Sequence, residues 1–416
     1  MTQDESVNDE VIKVDIAIVG AGMIGSAIAR SLKDTRFDVA LIDSLQASEL
    51  QKTAVEQVKV SDFSPRVSAI TPLSKRLLDE LDAWKHIPKV NVAAYQKMHV
   101  WDQLGTGVID FDSAELYQDN LGFIVENQNI ISALHKSLQG QNNVQHFYGN
   151  SLERLEVLPD VDHQHILSLS NGKKIHCQLL IAADGANSRI RTWAGMATRE
   201  WDYQHNAIVA TIKTTKKHQQ TAWQRFSATG PLAFLPLQDA NQSQKYCSIV
   251  WSQAVGEAAE LMSLDDESFA KKLSVESEGI LGDIESVSKR HSFPLRQRHA
   301  KSYTKDGVVL VGDAAHTIHP LAGQGVNQGF KDVKALCKLL LKANEQELDV
   351  NDPVLLRRYQ RQRQGDNLMM MGVMEGFKRL FEAPQPAFSF LRNVGLTWVD
   401  KQAFIKNKII KQAMGI

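Results

Sequence analysis

Residues 14–43 constrain the fold more than any other part of the chain. A β-branched apolar run at 14–19 is followed by GAGMIG at 20–25, a helical pattern at 26–32, a second apolar run at 37–42, and Asp43. Strand, glycine turn, helix and strand in this order make a right-handed unit with its two strands parallel. Gly20 permits the tight turn, Gly22 lets backbone approach a pyrophosphate, and Gly25 lets helix and strand pack closely. The helix start, carrying roughly half a positive charge, faces the phosphates. Asp43 lies about 20 residues on, where a carboxylate accepts the hydroxyls of an adenosine ribose. No second GxGxxG occurs in such a frame. One dinucleotide is therefore held by a Rossmann unit, and any other nucleotide must bind by different means.

A second strand–loop–helix lies far downstream. Val308, Val309, Leu310 and Val311 read as a buried strand ending in Gly312 and Asp313. A loop punctuated by glycine and proline follows, and a helix begins near Gly325. An acid at a strand end bonds a sugar-like hydroxyl chain, and a loop with few side chains brings backbone N–H groups to a flat ring. The helix start favours negative charge there. Together these suit a polyol-linked ring that becomes negative, as reduced flavin does. The alternative is an ordinary strand–turn–helix of an α/β core.

Between these ends, Arg66 in DFSPRVSAIT (62–71) can fork onto a pyrophosphate or sit on the surface. An amphipathic helix is expected at 73–81, and short strands at 97–101 and 107–111. A strand at 121–125 leads into Glu126 and Asn127 and a helix to about Leu138; Asn127 can cap that helix or touch a ligand. A hairpin is expected at 152–158 and 165–169, with the next turn at Asn171 and Gly172. The strand at 179–183 ends in Asp184 and Gly185, and Asp184 can cap the helix that follows or serve the same sheet edge. From 201 to about 290 the texture changes to alternating β-branched and aromatic runs at 207–213, 221–226, 230–237 and 246–252, with one helical excursion at 261–275. This pattern predicts an inserted antiparallel sheet, with the return to the first domain at Phe293, Pro294 and Leu295. Phe234 and Pro236, near a strand end, either roof a ligand or belong to plain sheet core. A helix to Leu341 and a longer one at 355–381 follow.

Composition narrows the functional classes. With 416 residues, 43% apolar and 23% charged, the chain can bury a large globular core. Its 47 basic and 48 acidic residues argue against a broad nucleic-acid footprint. Cys177, Cys247 and Cys337 are far apart and form no metal-ligand cluster, so no metal is expected and the thiols read as reduced, structural and cytoplasmic. Residues 1–10 are polar and acidic, unlike a signal peptide, and the uncharged apolar run 16–29 is too short to span a bilayer. Near the C-terminus, Phe, Leu, Ile and Trp are interleaved with Lys378, Arg379, Arg392, Lys401, Lys406, Lys408 and Lys411, against only Glu382 and Asp400. Such a tail can lie on an anionic membrane, or pack on the core or a partner.

Four motifs now stand in order: GAGMIG at 20–25, SPRVSAIT at 64–71, ADGANSRIR at 183–191 and GDAAHTIHPLAGQGVNQG at 312–329. This order resembles the FAD-dependent aromatic monooxygenases of the para-hydroxybenzoate hydroxylase type. IVENQ at 124–128, FPLRQRHA at 293–300 and the terminal FLRNVGLTWVD and QAMGI bring the resemblance closer to the ubiquinone-biosynthesis hydroxylases, over nearly the whole chain. The resemblance implies an α/β fold. A single, discontinuous Rossmann-type FAD-binding domain (1–90, 124–200, 295–345) would carry an inserted antiparallel β-sheet substrate domain (91–123, 201–294) and a helical C-terminal region (350–416).

Residue by residue, the resemblance implies that Gly20, Gly22, Gly25 and Asp43 hold the ADP half of FAD and that Arg66 pairs with its pyrophosphate. Asn127 would contact the ribityl side, with Gly312 and Asp313 at the ribityl chain. Pro320, Gly323 and Gly325 would line the isoalloxazine, with backbone N–H groups near Val326 facing its negative edge and Asn327 in the same site. Asp184 would serve cofactor-site structure and the NAD(P)H step, while Phe234 and Pro236 are the substrate-side candidates. The implied chemistry is hydride transfer from NAD(P)H to FAD, formation of a C4a-hydroperoxide with O2, and OH transfer to a polyprenylated phenol or benzoquinol. Contact with a ubiquinone-biosynthesis complex, or with the inner face of the membrane through the C-terminal region, goes with that substrate. No catalytic base is identified: His316 and His319 stand in the loop, where a histidine more often satisfies backbone groups. Three rivals share these motifs: a hydroxylase of a soluble aromatic, a non-catalytic FAD-binding component of an assembly, and a reductase of isoprenoid double bonds. A halogenase of this fold would be expected to show a WxWxIP-type stretch, and there is none. The features point to more than one ring position, which stays open.

Overall fold

The computed structural model describes residues 11–52, 56–103, 107–158, 165–227, 229–317, 325–382 and Gln402. The expected central unit is present. Strand Val11–Val19 runs parallel to Val39–Asp43 on one side and to Lys174–Ala182 on the other. Val144–Tyr148 extends the sheet beyond 39–43, and Val308–Leu310 extends it beyond 174–182, both parallel. Thr304–Lys305 closes that edge antiparallel, and the hairpin Leu152–Val157/His165–Leu169 pairs onto the start of 174–182. Strand residues Ile16, Ala17, Ile18, Leu180 and Ile181 have no exposed surface, the signature of a sheet covered on both faces. Helices Met23–Ser31, Asn127–Ser137 and Gly325–Glu345 share one core with them.

A second, nine-stranded sheet runs in the order His316–Thr317, His291–Ala300, Thr198–Thr214, Tyr246–Ala254, Leu232–Leu237, Thr221–Phe226, Lys97–Asp102, Val108–Asp112, with Ile284–Val287 also paired to 198–214. Its pairs are antiparallel except 221–226 with 97–102, which is parallel. A small antiparallel sheet of Val67–Ile70, Gly122–Glu126 and Val92–Tyr95 stands beside it.

Three sequence expectations need correction. The return to the first sheet is not at 293–295: strand His291–Ala300 stays paired along 198–209, and the chain leaves only after Ala300. Pro294 is tolerated there because among the described residues the strand is paired at that point only on the 198–214 side, its other neighbour His316–Thr317 pairing at Arg298 and His299. The single helix expected at 261–275 is two, Val255–Ser263 and Asp266–Glu276, because the Asp265 carboxylate caps the second by accepting from Ser268 N at 2.7 Å. The helix expected from 355 starts at Pro353, and proline suits a first turn.

Candidate functional site

A cleft of about 530 Å³ lies between the edge of the parallel sheet and the nine-stranded sheet, a size that suits a cofactor or ligand site. One wall is backbone-rich and charged: Gly22, Arg66, Asn127, Asp313, Gly325 and Val326. The facing wall is a sheet surface of Ala207, Val209, Leu235, Ser248, Val250, Phe293 and Leu295.

The glycine turn explains itself atom by atom. Gly20 sits at φ +103°, and a Cβ on it would lie 2.3 Å from the Ala183 carbonyl oxygen. A Cβ on Gly25 would lie 1.9 Å from the Gly20 oxygen. Gly22 differs: a Cβ there meets nothing within 4 Å, so it opens on the cleft. The helix that starts behind it has no acidic residue in its first turn to neutralise its positive end. Asp43 clasps the turn, its carboxylate accepting from Ala21 N at 2.6 Å and Leu45 N at 2.8 Å. A carboxylate has about four acceptor directions, so capacity for ribose hydroxyls remains. Beneath the turn, Ser26 Oγ donates to the Ala21 carbonyl at 2.9 Å and His135 Nε2 lies 2.9 Å from the same oxygen, with Tyr148 Oη 3.0 Å from Nδ1. Burial holds His135 below the usual imidazole range, as suits a neutral ring that donates at one nitrogen and accepts at the other.

Arg66 is exposed, with its guanidinium 5.2 Å from the Phe293 ring centroid across the cleft. Its loop is fixed from behind: Asn127 N donates to the Arg66 carbonyl at 3.0 Å, and the buried Glu126 accepts from Ser64 N at 2.6 Å. Asn127 does not cap its helix; Glu126 occupies that position, and Asn127 Oδ1 accepts from Ser68 Oγ at 2.6 Å at the cleft wall. Asp313 is exposed to the cleft. Crowding by protein on its other sides raises the carboxyl above its usual range, against the pull of His316 and Arg66. Gly312, at φ +56°, packs on Ile24 and turns the chain between strand and loop.

Two positions serve the site from outside it. Asp184 turns its carboxylate to the helix Arg189–Trp193, accepting from Arg189 N at 2.9 Å, while the neighbouring Ala183 and Gly185 reach the cleft. Asn327 is buried, with both ends of its amide occupied: Nδ2 donates to the Ala69 carbonyl at 2.7 Å, and Oδ1 accepts from Ser74 Oγ at 2.7 Å and Thr71 N at 3.1 Å. It locks helix 325–345 onto strand 67–70 and is not a wall residue, so the expected direct contact is replaced by a positioning one. Phe234 and Pro236 are corrected by one residue. Every side chain of 232–237 is buried, and the pleat sends Phe234 to the far core beneath helices 255–263 and 266–276, whereas Leu235 faces the cleft. Pro320, Gly323 and His319 lie outside the described residues.

Sequence reading missed the buried hub behind this wall. Asp332 Oδ2 accepts from Gly312 N at 2.9 Å and lies 2.6 Å from His316 Nε2, while Oδ1 accepts from Arg363 Nε at 2.6 Å. Burial alone would raise the Asp332 carboxyl, but His316 and Arg363 outweigh it and hold it below the usual range. His316 is thus a partner of Asp332 rather than a free base. Arg191, also buried, donates to the Ala314 carbonyl at 2.8 Å and ties the 183–191 motif to the same turn. These partners are 16 to 123 residues apart, and no local pattern signals them.

The residues present fit FAD: an open glycine and a helix start with no acid in its first turn for the diphosphate, an exposed cation beside them, and a carboxylate at the cleft for hydroxyls. Comparison with known proteins agrees. Residues 13–366 match the family model described as FAD binding domain. The chain is 35% identical to the mitochondrial ubiquinone biosynthesis monooxygenase COQ6 of Xenopus tropicalis, over 95% of this chain and 92% of that protein. It is 34% identical to the 3-demethoxyubiquinol 3-hydroxylase of Escherichia coli K12, over 97% and 98%. Among solved structures it shares its fold with p-nitrophenol 4-monooxygenase PnpA of Pseudomonas putida (TM-score 0.75, 16% identity, 97% and 98% covered). The same holds for PqsL of Pseudomonas aeruginosa (TM-score 0.72, 19% identity, 92% and 99% covered). The chain belongs to the FAD-binding flavoprotein family of the ubiquinone-biosynthesis hydroxylases, and its cofactor is FAD.

Proposed function

We propose that this chain is an FAD-dependent monooxygenase that uses NAD(P)H and O2 to hydroxylate the aromatic ring of a polyprenylated phenol or benzoquinol in ubiquinone biosynthesis. The observation that carries the reading is the end-to-end similarity to two hydroxylases of that pathway. A cleft with one charged, glycine-rich wall and one largely apolar wall supports it. Bound FAD supplies the redox chemistry, accepting hydride and activating oxygen. The reaction balances as ring C–H, NAD(P)H, a proton and O2 giving ring C–OH, NAD(P)⁺ and water. The chain's own groups bind and orient. Gly22, the helix start and Arg66 take the diphosphate, Asp43 and Asp313 accept hydroxyls, and the apolar sheet wall excludes water. We assign residues 377–416 to peripheral contact with an anionic membrane or with other proteins of the pathway. Among the described residues no helix is long and apolar enough to cross a membrane.

Mass spectrometry of quinone-pathway lipids from cells lacking the gene tests the assignment. One under-hydroxylated intermediate should accumulate and disappear on complementation, and its structure names the ring position. An unchanged quinone pool, together with purified protein that takes up oxygen only with a soluble phenol, would replace the lipid substrate by a soluble one.

A further inference from the structure

We infer that Ser248 is the hydroxyl that orients the substrate ring on the sheet wall of the cleft, by hydrogen bonding a ring oxygen. The inference rests on the proposed function. Ser248 lies mid-strand in Tyr246–Ala254 and is 1% exposed. Its hydroxyl has no hydrogen-bond partner among the described residues, although the residue lines the cleft. Its cross-strand neighbours are Thr211 and Leu235, in register on the same face. Thr211 is also 1% exposed, with an Oγ1 likewise unpartnered among the described residues. Val209, Leu235 and Val250 complete the surroundings. A buried hydroxyl without a partner is costly, and apolar replacement at such a site is ordinarily neutral or stabilising. A polar spot within an otherwise greasy wall is therefore what a site built for one oxygen on an apolar ring requires. Leu235 and Val250 would take the ring faces and edges, while the Ser248 hydroxyl accepts from a phenol O–H or donates to a quinol oxygen. That fixes which ring carbon is presented to the opposite wall.

The test uses FAD-loaded wild type and Ser248→Ala, with a phenol bearing a two-isoprene tail as probe. NADH oxidation, hydroxylated product and hydrogen peroxide are measured together. Ser248→Ala should keep its FAD and melt no lower than wild type. It should raise the KM for the phenol about tenfold and divert reducing equivalents from product to peroxide. Retained stability with lost coupling is a pattern a merely structural serine would not give. If wild type responds to the phenol and Ser248→Ala matches it in KM and coupling, the assignment of Ser248 is wrong and the proposed function stands. If wild type shows no phenol-stimulated oxidation with this probe or with the accumulated lipid, both fall.

Discussion

Gly22 and Gly25 are three residues apart and answer opposite demands, which makes them separable by mutation. Gly25→Ala forces a methyl group into the Gly20 carbonyl. It should destabilise the fold by about 3 kcal/mol and lose FAD with it. Gly22→Ala has room for its methyl group, but that room is the proposed path of the diphosphate. It should melt like the apo wild type yet bind FAD at least tenfold more weakly, read by flavin absorbance after gel filtration. Equal FAD retention by Gly22→Ala would move the diphosphate elsewhere. His218 makes a prediction of another kind. Its Nε2 lies 3.2 Å from the Leu237 carbonyl, Nδ1 accepts from Gln220 N at 3.1 Å, and burial depresses its pKa from 6.5 to about 4. Between these values the unfolded chain binds a proton that the folded chain refuses, so stability is complete above pH 6.5 and falls as pH drops towards 4. His218→Gln, which can keep a donor and an acceptor, should flatten that part of the stability–pH profile. An unchanged slope would assign it to other groups.

Helix 353–382 reaches the site through Arg363, which is 1% exposed and binds Asp332, itself wholly buried, and through Tyr359, whose Oη donates to the Leu310 carbonyl at 2.9 Å. Arg363→Met should cost about 3–5 kcal/mol, because it leaves Asp332 with a charge that His316 alone must balance. It should also weaken FAD binding, since Asp332 holds Gly312 and His316. Chemical denaturation and flavin titration measure the two effects, and a stable variant with normal FAD affinity would show the hub to be dispensable. Elements differ in how far the sequence announced them. The glycine turn was legible because strand period, glycine spacing and a terminal acid agree within 30 residues. The 312–329 motif was legible through its family resemblance. The facing of strand 232–237 was not, because a strand buried on both sides shows no polar alternation to reveal its register. Arg363 stands close to Arg357, Arg358 and Arg361 on one helix, and only the fold distinguishes it from those three exposed ones. Asn127 and Asp184 kept two readings in the sequence because a cap and a ligand contact use the same residue types at the same strand–helix junctions.

At the scale of the molecule, two sheets divide the labour: the parallel one supplies backbone and charge, the other an apolar wall. The basic, aromatic region 377–416 is assigned to membrane or partner contact, not to FAD. A chain ending at Glu382 should therefore retain FAD and lose affinity for anionic vesicles or for its pathway partners in a flotation or co-purification assay. Loss of flavin from a folded truncation would instead make the tail part of the cofactor site. The order of the parallel sheet has a consequence for synthesis. Val308–Leu310 pairs with Lys174–Ala182, and the Asp332 beneath it waits for Arg363. The glycine turn emerges from the ribosome early, but the carboxylate turn at 312–313 and its anchor emerge after most of the chain has been made. If both turns hold FAD as proposed, flavin has no complete seat on the nascent chain. Its capture belongs to the last steps of folding, when a scarcity of FAD would leave a nearly finished protein exposed to proteolysis rather than halt it at the start.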